Sequence, residues 1–385
     1  MTNFAIDRFE RAFAEWLGVP HAFAFWRGRV ALYAILRALG IGPGEEVAVT
    51  GYTCIAVARP IKYLGATPIY IDIDPVSYCM DPARLAEAIT PRMRLIVAQH
   101  TYGYAADMDA IGAVAQRHGL PVIEDACLAL GSAYKGRKVG TIGQAAFWSG
   151  QWSKHFTTGV GGWATTSDDR LAERIRGMAL AEACQPSPRE RALLACQRGA
   201  HFLLARPRLM GKVQSVYQWM ARHRLVAGDY SYRADVPVMP EDFFKRMGPG
   251  QARAGLRRLR RLEANLRHRR EMTALYDRLL AEAGWVLSKL PDYGEAVLVR
   301  YPVRVADKAR AVAEARKRGI ELGTWFDCPL HQIETDLEVY DYHEGSCPVA
   351  ERAAREVVNL PLHGRADERL AHQYVEFLRE IGPAG

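Results

Sequence analysis

Short apolar runs alternate along the first half of the chain with longer stretches whose apolar positions recur every third or fourth residue. The runs at 46–50 (EVAVT), 67–73 (TPIYIDI), 95–99 (LIVAQ), 121–125 (PVIED), 145–149 (AAFWS) and 163–166 (WATT) predict strands. Helical spacing covers 29–39, 55–63, 82–88, 107–117 and 168–178. Strands that alternate with helices build an α/β fold with a mostly parallel sheet covered on both faces. Beyond residue 253 the pattern changes: Leu256, Leu259, Leu262 and Leu266 recur at helical spacing in one long basic helix, and VLVRYPVRV reads as a strand. Helices follow near 307–317, 348–357 and 367–381. The expected organisation is a large α/β unit over 1–252, then a long helix with a smaller α+β unit over 253–385.

At 385 residues, 49% hydrophobic and 24% charged, the chain can bury a large core and exceeds the usual single-domain size. No apolar run approaches the ~18 residues of a membrane span. The N-terminus MTNFAIDRFERAFAEW is amphipathic and carries acids, unlike a secretory signal, so a cytoplasmic protein is expected. Seven cysteines are scattered without CxxC spacing or paired histidines, which argues against a disulfide framework or a metal site. The net charge of +8 admits an anionic ligand, a phospholipid surface or nucleic acid. The arginine cluster QARAGLRRLRRLEANLRHRR holds the leucines named above, so one amphipathic helix with a solvated basic face accounts for it and no nucleic-acid partner is expected.

The chemistry concentrates between Val122 and Thr166, where Asp125 ends an apolar strand and Lys154 lies in a small-residue loop before a Gly-Gly turn. A lysine that forms a Schiff base needs a strand end or loop facing a cavity, with neighbours that ease loss of its proton. A pyridine ring used as an electron sink needs an acid on its nitrogen. Spacing alone leaves a second reading open, an ordinary strand-end aspartate and a solvated surface lysine. Gly28 precedes a helix beginning near Arg29, so backbone N–H groups there can hold a phosphate at the positive end of the helix; a simple turn glycine is the alternative.

Written out, VIEDACLALGSAYKGRKVGTIGQAAFWSGQWSKHFTTGVGGWATTSDDRLAERIR resembles the cofactor-binding core of the sugar aminotransferases of pyridoxal-phosphate fold type I, the DegT or StrS-like family. GRVALYAILRALGIGPGEEVAV, YLGATPIYIDID, TYGYAADMDAI, GQARAGLRRLRRLEANLRHRR and CPVAERAAREVVNLPLH resemble the same family in the same order, covering about residues 25–380. The resemblance implies pyridoxal 5'-phosphate as cofactor, with Lys154 as its covalent anchor and proton carrier and Asp125 on the ring nitrogen. It implies phosphate contacts from Gly28, Arg29 and Ser149. Related dehydratases have histidine in place of the lysine; this chain keeps Lys154 and has His155 beside it, which favours transamination. A homodimer is also implied.

Several positions depart from the family. Where an aromatic ring usually stacks on the cofactor, this chain has Cys54, leaving Tyr52 or Tyr102 as the stacking ring, or the thiol itself. Leu128 replaces a glutamine, and Phe244 falls where the partner subunit usually supplies an asparagine. A sugar-facing His-Tyr pair falls near Phe326 and Asp327, although His331 matches a later histidine. Tyr52, Tyr102, His155 and His331 are therefore the substrate-side candidates, and Arg29 departs from a small hydroxyl residue.

The segment 182–236 is longer than its family counterpart and rich in arginine, leucine and aromatics. It predicts two short amphipathic helices broken at Pro207. They either cap the active site or pack on a dimer partner, or they lie on an anionic membrane or lipid-bearing substrate. The expected activity is amino transfer from L-glutamate or L-glutamine to a keto group on a nucleotide-linked sugar or a cyclitol. The alternatives are a non-catalytic, partner-binding relative and a pyridoxal-phosphate elimination enzyme.

Overall fold

The computed structural model describes residues 4–204, 238–287, 292–331 and 337–383. Among these, five strands run parallel in a central sheet: β2 (Glu46–Thr50), β3 (Thr67–Ile71), β4 (Met93–Gln99), β5 (Val122–Asp125) and β6 (Ala145–Ser149). At one edge β7 (Gly162–Thr166) pairs antiparallel with β6, and β1 (His21–Phe25) pairs antiparallel with β7. The order across the sheet is β1-β7-β6-β5-β4-β2-β3. Strand β1 had no counterpart in the sequence reading, because HAFAF is short and follows directly on an amphipathic helix, α1 (Phe4–Leu17).

Alternate side chains of the sheet feed two cores, as the two-residue repeat of a strand requires. Val47, Val49, Leu95, Val97, Ala145 and Phe147 face one core. That side is covered by α2 (Gly28–Leu39), α3 (Ile55–Tyr63) and α6 (Asp169–Ala181), through Leu32, Ile35, Ile61, Leu171 and Ile175. Ala48, Ile96, Ala98, Ala146 and Trp148 face the other. There α1, α4 (Pro82–Glu87) and α5 (Met108–His118) contribute Phe9, Phe13, Leu85 and Ile111. Phe9 and Phe13 meet the Trp163 ring edge-on, 5.3 and 4.9 Å between centroids, which seats α1 on β7; such ring pairs add roughly 0.5–1.5 kcal/mol each beyond burial. Helix starts are marked by acids: Asp81, Asp107 and Asp168 accept N–H groups of α4, α5 and α6, each cap contributing about 1 kcal/mol.

Residues 182–204 are the described part of the 182–236 segment, and most of them form helix α7 (Pro188–Leu204). Glu190 pairs with Lys245 at 2.6 Å, and Leu194 packs on Trp26 and Val160, so this helix lies against its own chain. Pro207 and the rest of the segment, 205–236, fall outside the described residues.

The long basic helix expected beyond residue 253 is two helices, α8 (Pro249–Leu259) and α9 (Leu262–Glu282). The Arg261 N–H donates to Arg258 O, a three-residue span, and Arg261 leaves helical geometry at φ −111° and ψ 8°. The expected division at 252/253 falls within α8. Leu256 and Leu259 of α8 still pack on the core beneath α1. The C-terminal core gathers Tyr276 and Leu280 of α9, β8 (Tyr301–Arg304), α10 (Lys308–Lys317), β9 (Val357–Leu360) and α12 (Glu368–Ile381). Strands β8 and β9 pair antiparallel, and α11 (Pro348–Glu356) precedes β9. A two-residue parallel pairing, Leu330↔Thr53 and His331↔Cys54, ties the 324–331 loop to the end of β2.

Candidate active site

In open α/β sheets the carboxyl ends of parallel strands leave a crevice where backbone and side chains converge. Asp125 ends β5, Ser149 ends β6, and Tyr52 and Tyr102 follow β2 and β4. A cavity of about 630 Å³ opens at the opposite, amino-terminal ends of the strands, lined by Gly40, Thr90, Arg94 and Pro121 among others, and none of the candidate residues lines it.

Two adjacent acids end β5 and do different work. Glu124 is fully buried and saturated: it accepts the Gly140, Ile142 and Gly143 N–H groups, each at 2.7 Å. His100 Nδ1 accepts the Ala106 N–H, so its Nε2 carries the proton and donates to Glu124 at 3.0 Å. Asp125 accepts the Cys127 N–H at 3.0 Å on Oδ1, and the Cys127 thiol acts on the same carboxyl. Burial pushes this carboxyl up from its ordinary range, while the Cys127 N–H and the charges of Lys154 and His100 pull it back.

Lys154 sits in the loop 150–161 between β6 and β7, which closes on itself through Gly150 N–H to Gly161 O at 2.8 Å and Thr158 N–H to Gly150 O at 2.9 Å. Lys154 is half-buried and lines one small cavity with Cys127, Ser149 and His155. Its Nζ lies 4.8 Å from the centre of the Trp325 ring. Trp325 escaped the sequence reading although it opens the WFDCPLH run in which Phe326, Asp327 and His331 were singled out. Arg300 escaped it too; its guanidinium carbon is 4.6 Å from the same ring centre.

Helix α2 begins against β6 and β7. A Cβ at Gly28 would lie 2.9 Å from Trp148 O and 3.3 Å from Ser149 Cβ. A Cβ at Gly162 would lie 2.1 Å from Gly28 N, which explains the Gly-Gly turn after Lys154. Arg27 at the N-cap makes no side-chain cap hydrogen bond; its guanidinium has no acceptor with which to cap the first-turn N–H groups. Arg29 follows, half-buried, its charge felt at the Tyr63 phenol.

The substrate-side candidates divide. Tyr52 and Tyr102 are fully buried, their hydroxyls 2.9 Å apart, and their rings are closed into a cluster with Tyr78 and Phe326. Cys54 stands at the N-cap of α3, half-buried and in register with His331. His155 Nε2 is 2.8 Å from Val297 O and therefore carries the proton, leaving Nδ1 buried without a partner. Burial holds His155 neutral, well below its ordinary pKa. His331 Nδ1 accepts the Asp327 N–H at 3.4 Å, and its Nε2 is buried and unpartnered. Burial, with Lys308, Arg300 and Lys154 nearby, pushes His331 down to about 3.

Pyridoxal phosphate asks for phosphate donors, an acid for its ring nitrogen and an amine for its aldehyde. The start of α2 pressed against Ser149, the carboxyl of buried Asp125 and the amine of Lys154 supply a donor set that fits each demand. Among the described residues no group of three or more His, Cys, Asp and Glu could hold a metal ion, and no helix is long and apolar enough to cross a membrane.

A mostly parallel sheet with these groups at its strand ends defines the pyridoxal-phosphate aminotransferase of fold type I. Within that class, the chain belongs to the DegT/DnrJ/EryC1/StrS aminotransferase family, whose model matches residues 3–194 and 220–379. It is 48% identical over 171 residues to GDP-perosamine synthase of Caulobacter vibrioides, a match spanning 44% of this chain and 46% of that protein. It is 31% identical over 380 residues to a pleiotropic regulatory protein of Geobacillus stearothermophilus, 98% of this chain and 89% of that one. Among solved structures, S. venezuelae DesV in complex with a ketimine intermediate superposes with a TM-score of 0.75 at 28% identity, over 99% of this chain and 90% of that one.

Proposed function

We propose that this enzyme moves an amino group from L-glutamate or L-glutamine to a keto group on a nucleotide-linked sugar or a cyclitol. The observation that carries the proposal is the convergence of Asp125 and Lys154 at the strand ends, close enough that the lysine charge stabilises the buried carboxylate. Likeness to GDP-perosamine synthase supports a nucleotide-linked acceptor.

When bound, pyridoxal phosphate supplies an electron-withdrawing ring that lowers the barrier to removing a proton from the amine-bearing carbon. In our proposal the Gly28 and Arg29 N–H groups and the Ser149 hydroxyl hold the phosphate. Asp125 would hold a proton at the ring nitrogen. Lys154 Nζ would anchor the group, and its amine would take and return the proton at the donor's α carbon. Trp325 covers Lys154 and keeps water from it. Cys54 borders the same space, and the buried neutral imidazole of His155 holds the Lys154 loop to Val297. His331 borders the acceptor side, and Tyr52 and Tyr102 shape that wall from behind Phe326 and Trp325.

We further propose a cytoplasmic homodimer. The packing of Leu194 on Trp26 and Val160 supports α7 as a cover over the Lys154 loop. Lipid contact through 182–236 is tested by liposome flotation of the intact protein and of a version lacking 205–236; equal partition would end that idea.

The deciding experiment for the reaction is the absorbance spectrum of the protein with pyridoxal phosphate, before and after L-glutamate or L-glutamine. A visible band that the donor bleaches, absent in Lys154→Ala, is expected. Turnover retained by Lys154→Ala would overturn the assignment.

A further inference from the structure

Helix α7 and the basic start of α8 meet, and the mechanism above uses the arginines of neither. Arg198 stands on α7 four residues after Leu194, so both side chains leave the helix on the face that lies against its own chain. A Cβ at Gly159, in the Lys154 loop, would lie 3.2 Å from Arg198 Cγ, and a Cβ at Gly250, in the first turn of α8, would lie 2.9 Å from Arg198 Nη2. The guanidinium therefore sits over Gly250. Arg253 and Arg257 follow Gly250 at helical spacing, which puts all three positions on one face of α8. Three guanidinium groups thus gather where α7 meets the start of α8.

Among the described residues no acid answers this charge. Arg198 is half-buried, its Nη1 is buried without a hydrogen-bond partner, and none of the three arginines makes an ion pair there. Of the acids on the flanking stretches, Glu182 pairs with Arg37, Glu190 and Asp242 both pair with Lys245, and Glu263 accepts the Trp16 indole N–H. Burial, then the charges of Arg257 and Arg253, lower the Arg198 pKa from its ordinary value. The helix adds to the excess. Pro249 has no N–H, the Gln251 and Ala252 N–H groups go to Gly248 O at 3.0 and 3.2 Å, and the Gly250 N–H has no partner among the described residues. A helix start carries partial positive charge and disfavours a cation beside it. Arg198 is therefore held against two like charges and a dipole, with donors facing donors.

We propose that Arg198, Arg253 and Arg257, with the Gly250 N–H, form a seat for a phosphate group on a ligand other than the cofactor. Guanidinium forks take phosphate oxygens in pairs, and a free first-turn N–H adds a donor. A carboxylate brings one charge and two oxygens to this set, whereas a phosphate monoester brings nearly two charges and three. The group belongs to a soluble phosphate or diphosphate compound or to a lipid headgroup; both present the same oxygens, and the test separates them. Once seated, it ties α7 to the start of α8 and, through the Arg198 stem, to Gly159 of the Lys154 loop. The seat does not depend on which reaction Lys154 performs.

Calorimetric titration of the cofactor-loaded protein with pyrophosphate, in phosphate-free buffer, tests the seat. R198Q should weaken pyrophosphate binding roughly 10- to 100-fold, the range for a charge-assisted bond. R198K, which keeps the charge but loses the planar fork, should fall between wild type and R198Q. The double variant R253Q/R257Q changes two exposed arginines and should weaken binding roughly three- to tenfold; it also serves if R198Q fails to fold. Without pyrophosphate, R253Q/R257Q should melt at or above the wild-type temperature, because like charges are removed. A lower melting temperature would make these arginines supports of the fold and overturn the proposal. Flotation with vesicles of phosphatidylcholine, with and without phosphatidic acid, separates the two sources. Saturable pyrophosphate binding that R198Q weakens assigns a soluble phosphate compound. Arg198-dependent flotation on phosphatidic acid, without saturable pyrophosphate binding, assigns a lipid headgroup. Binding of both probes unchanged in R198Q and R253Q/R257Q, or binding of neither, overturns the seat. So does a pyrophosphate-induced rise in melting temperature that sodium chloride at matched ionic strength reproduces, since that is screening alone.

Discussion

Gly28 lies against Ser149 so closely that a methyl group at residue 28 would come within 3.3 Å of the serine Cβ. The start of α2 and the end of β6 thus form one surface, with backbone N–H groups on one side and a hydroxyl on the other. Gly28→Ala should push the helix start away from Ser149. The expected result is at least a tenfold loss of pyridoxal-phosphate affinity, with about 1–3 kcal/mol of destabilisation from overpacking. Ser149→Ala, which removes one hydrogen bond without adding bulk, should weaken the cofactor roughly tenfold with little change in stability. Fluorescence titration with the cofactor and thermal melts of the cofactor-free protein measure the two effects.

Asp125 should show opposite effects on activity and stability. Burial raises its carboxyl pKa, so the charge is held at a cost in the cofactor-free protein. Asp125→Asn keeps the shape and removes that cost, so the melting temperature of the cofactor-free variant should equal or exceed wild type. Without an acid to hold the ring proton, kcat should fall roughly 100-fold or more, within the range for lost acid-base groups. A melt and a rate on the same preparation decide it; a variant that is both unstable and inactive would make Asp125 a structural residue.

Lys308 holds the backbone around Trp325. Its Nζ donates to Thr324 O, Phe326 O and Ala354 O at 3.0, 2.8 and 2.9 Å, pinning the residues on either side of Trp325. Burial lowers its pKa to about 8. Lys308→Met removes the cost of burying an ammonium but leaves three carbonyls without their donor. The balance should be a loss of about 1–3 kcal/mol, read by urea denaturation. With Trp325 less firmly held, KM for the amino donor should rise more than kcat falls.

His331 makes stability depend on pH on the acid side. Its folded pKa of about 3 lies below the ordinary 6.5, because burial and the cations Lys308, Arg300 and Lys154 oppose its protonation. The unfolded chain therefore binds more protons between those values, so the stability this residue contributes is present above about pH 6.5 and is lost as pH falls toward 3. Cooling the pH from 7.5 to 5 should cost wild type up to about 2 kcal/mol more than His331→Asn, whose side-chain oxygen can still accept the Asp327 N–H. Melts of both proteins at the two pH values measure the difference. Since His331 stays neutral from pH 5 to 8, the activity profile in that range should be the same in both.

Much of this was legible along the chain because its signals are local. Asp125 and Ser149 end apolar runs, Gly28 opens a helix, and Lys154 sits among small residues before two glycines. Each is marked by what stands within a few positions of it. The same local signals mislead where packing decides. The leucines from 256 to 266 keep helical spacing across Arg260 and Arg261, yet the chain turns there, with Leu262 and Leu266 buried under the sheet and Leu256 and Leu259 partly buried beside α1. Tyr52 and Tyr102 follow the right strands to reach the cofactor, but their hydroxyls pair with each other and their rings are closed off.

By itself the sequence determined the alternation of strands and helices, which depends on hydrophobic period, and, through the resemblance of its motifs, the family and its cofactor. Only the tertiary structure decided what stands opposite Lys154. Trp325 and Arg300 come from the C-terminal region, and nothing in their neighbours relates them to residue 154. Trp325 meets Lys154 from a loop that the pairing of Leu330 and His331 with Thr53 and Cys54 ties to the end of β2, and Arg300 approaches the same indole. Contact across such sequence distances is set by the packing of whole elements, and no local pattern records it.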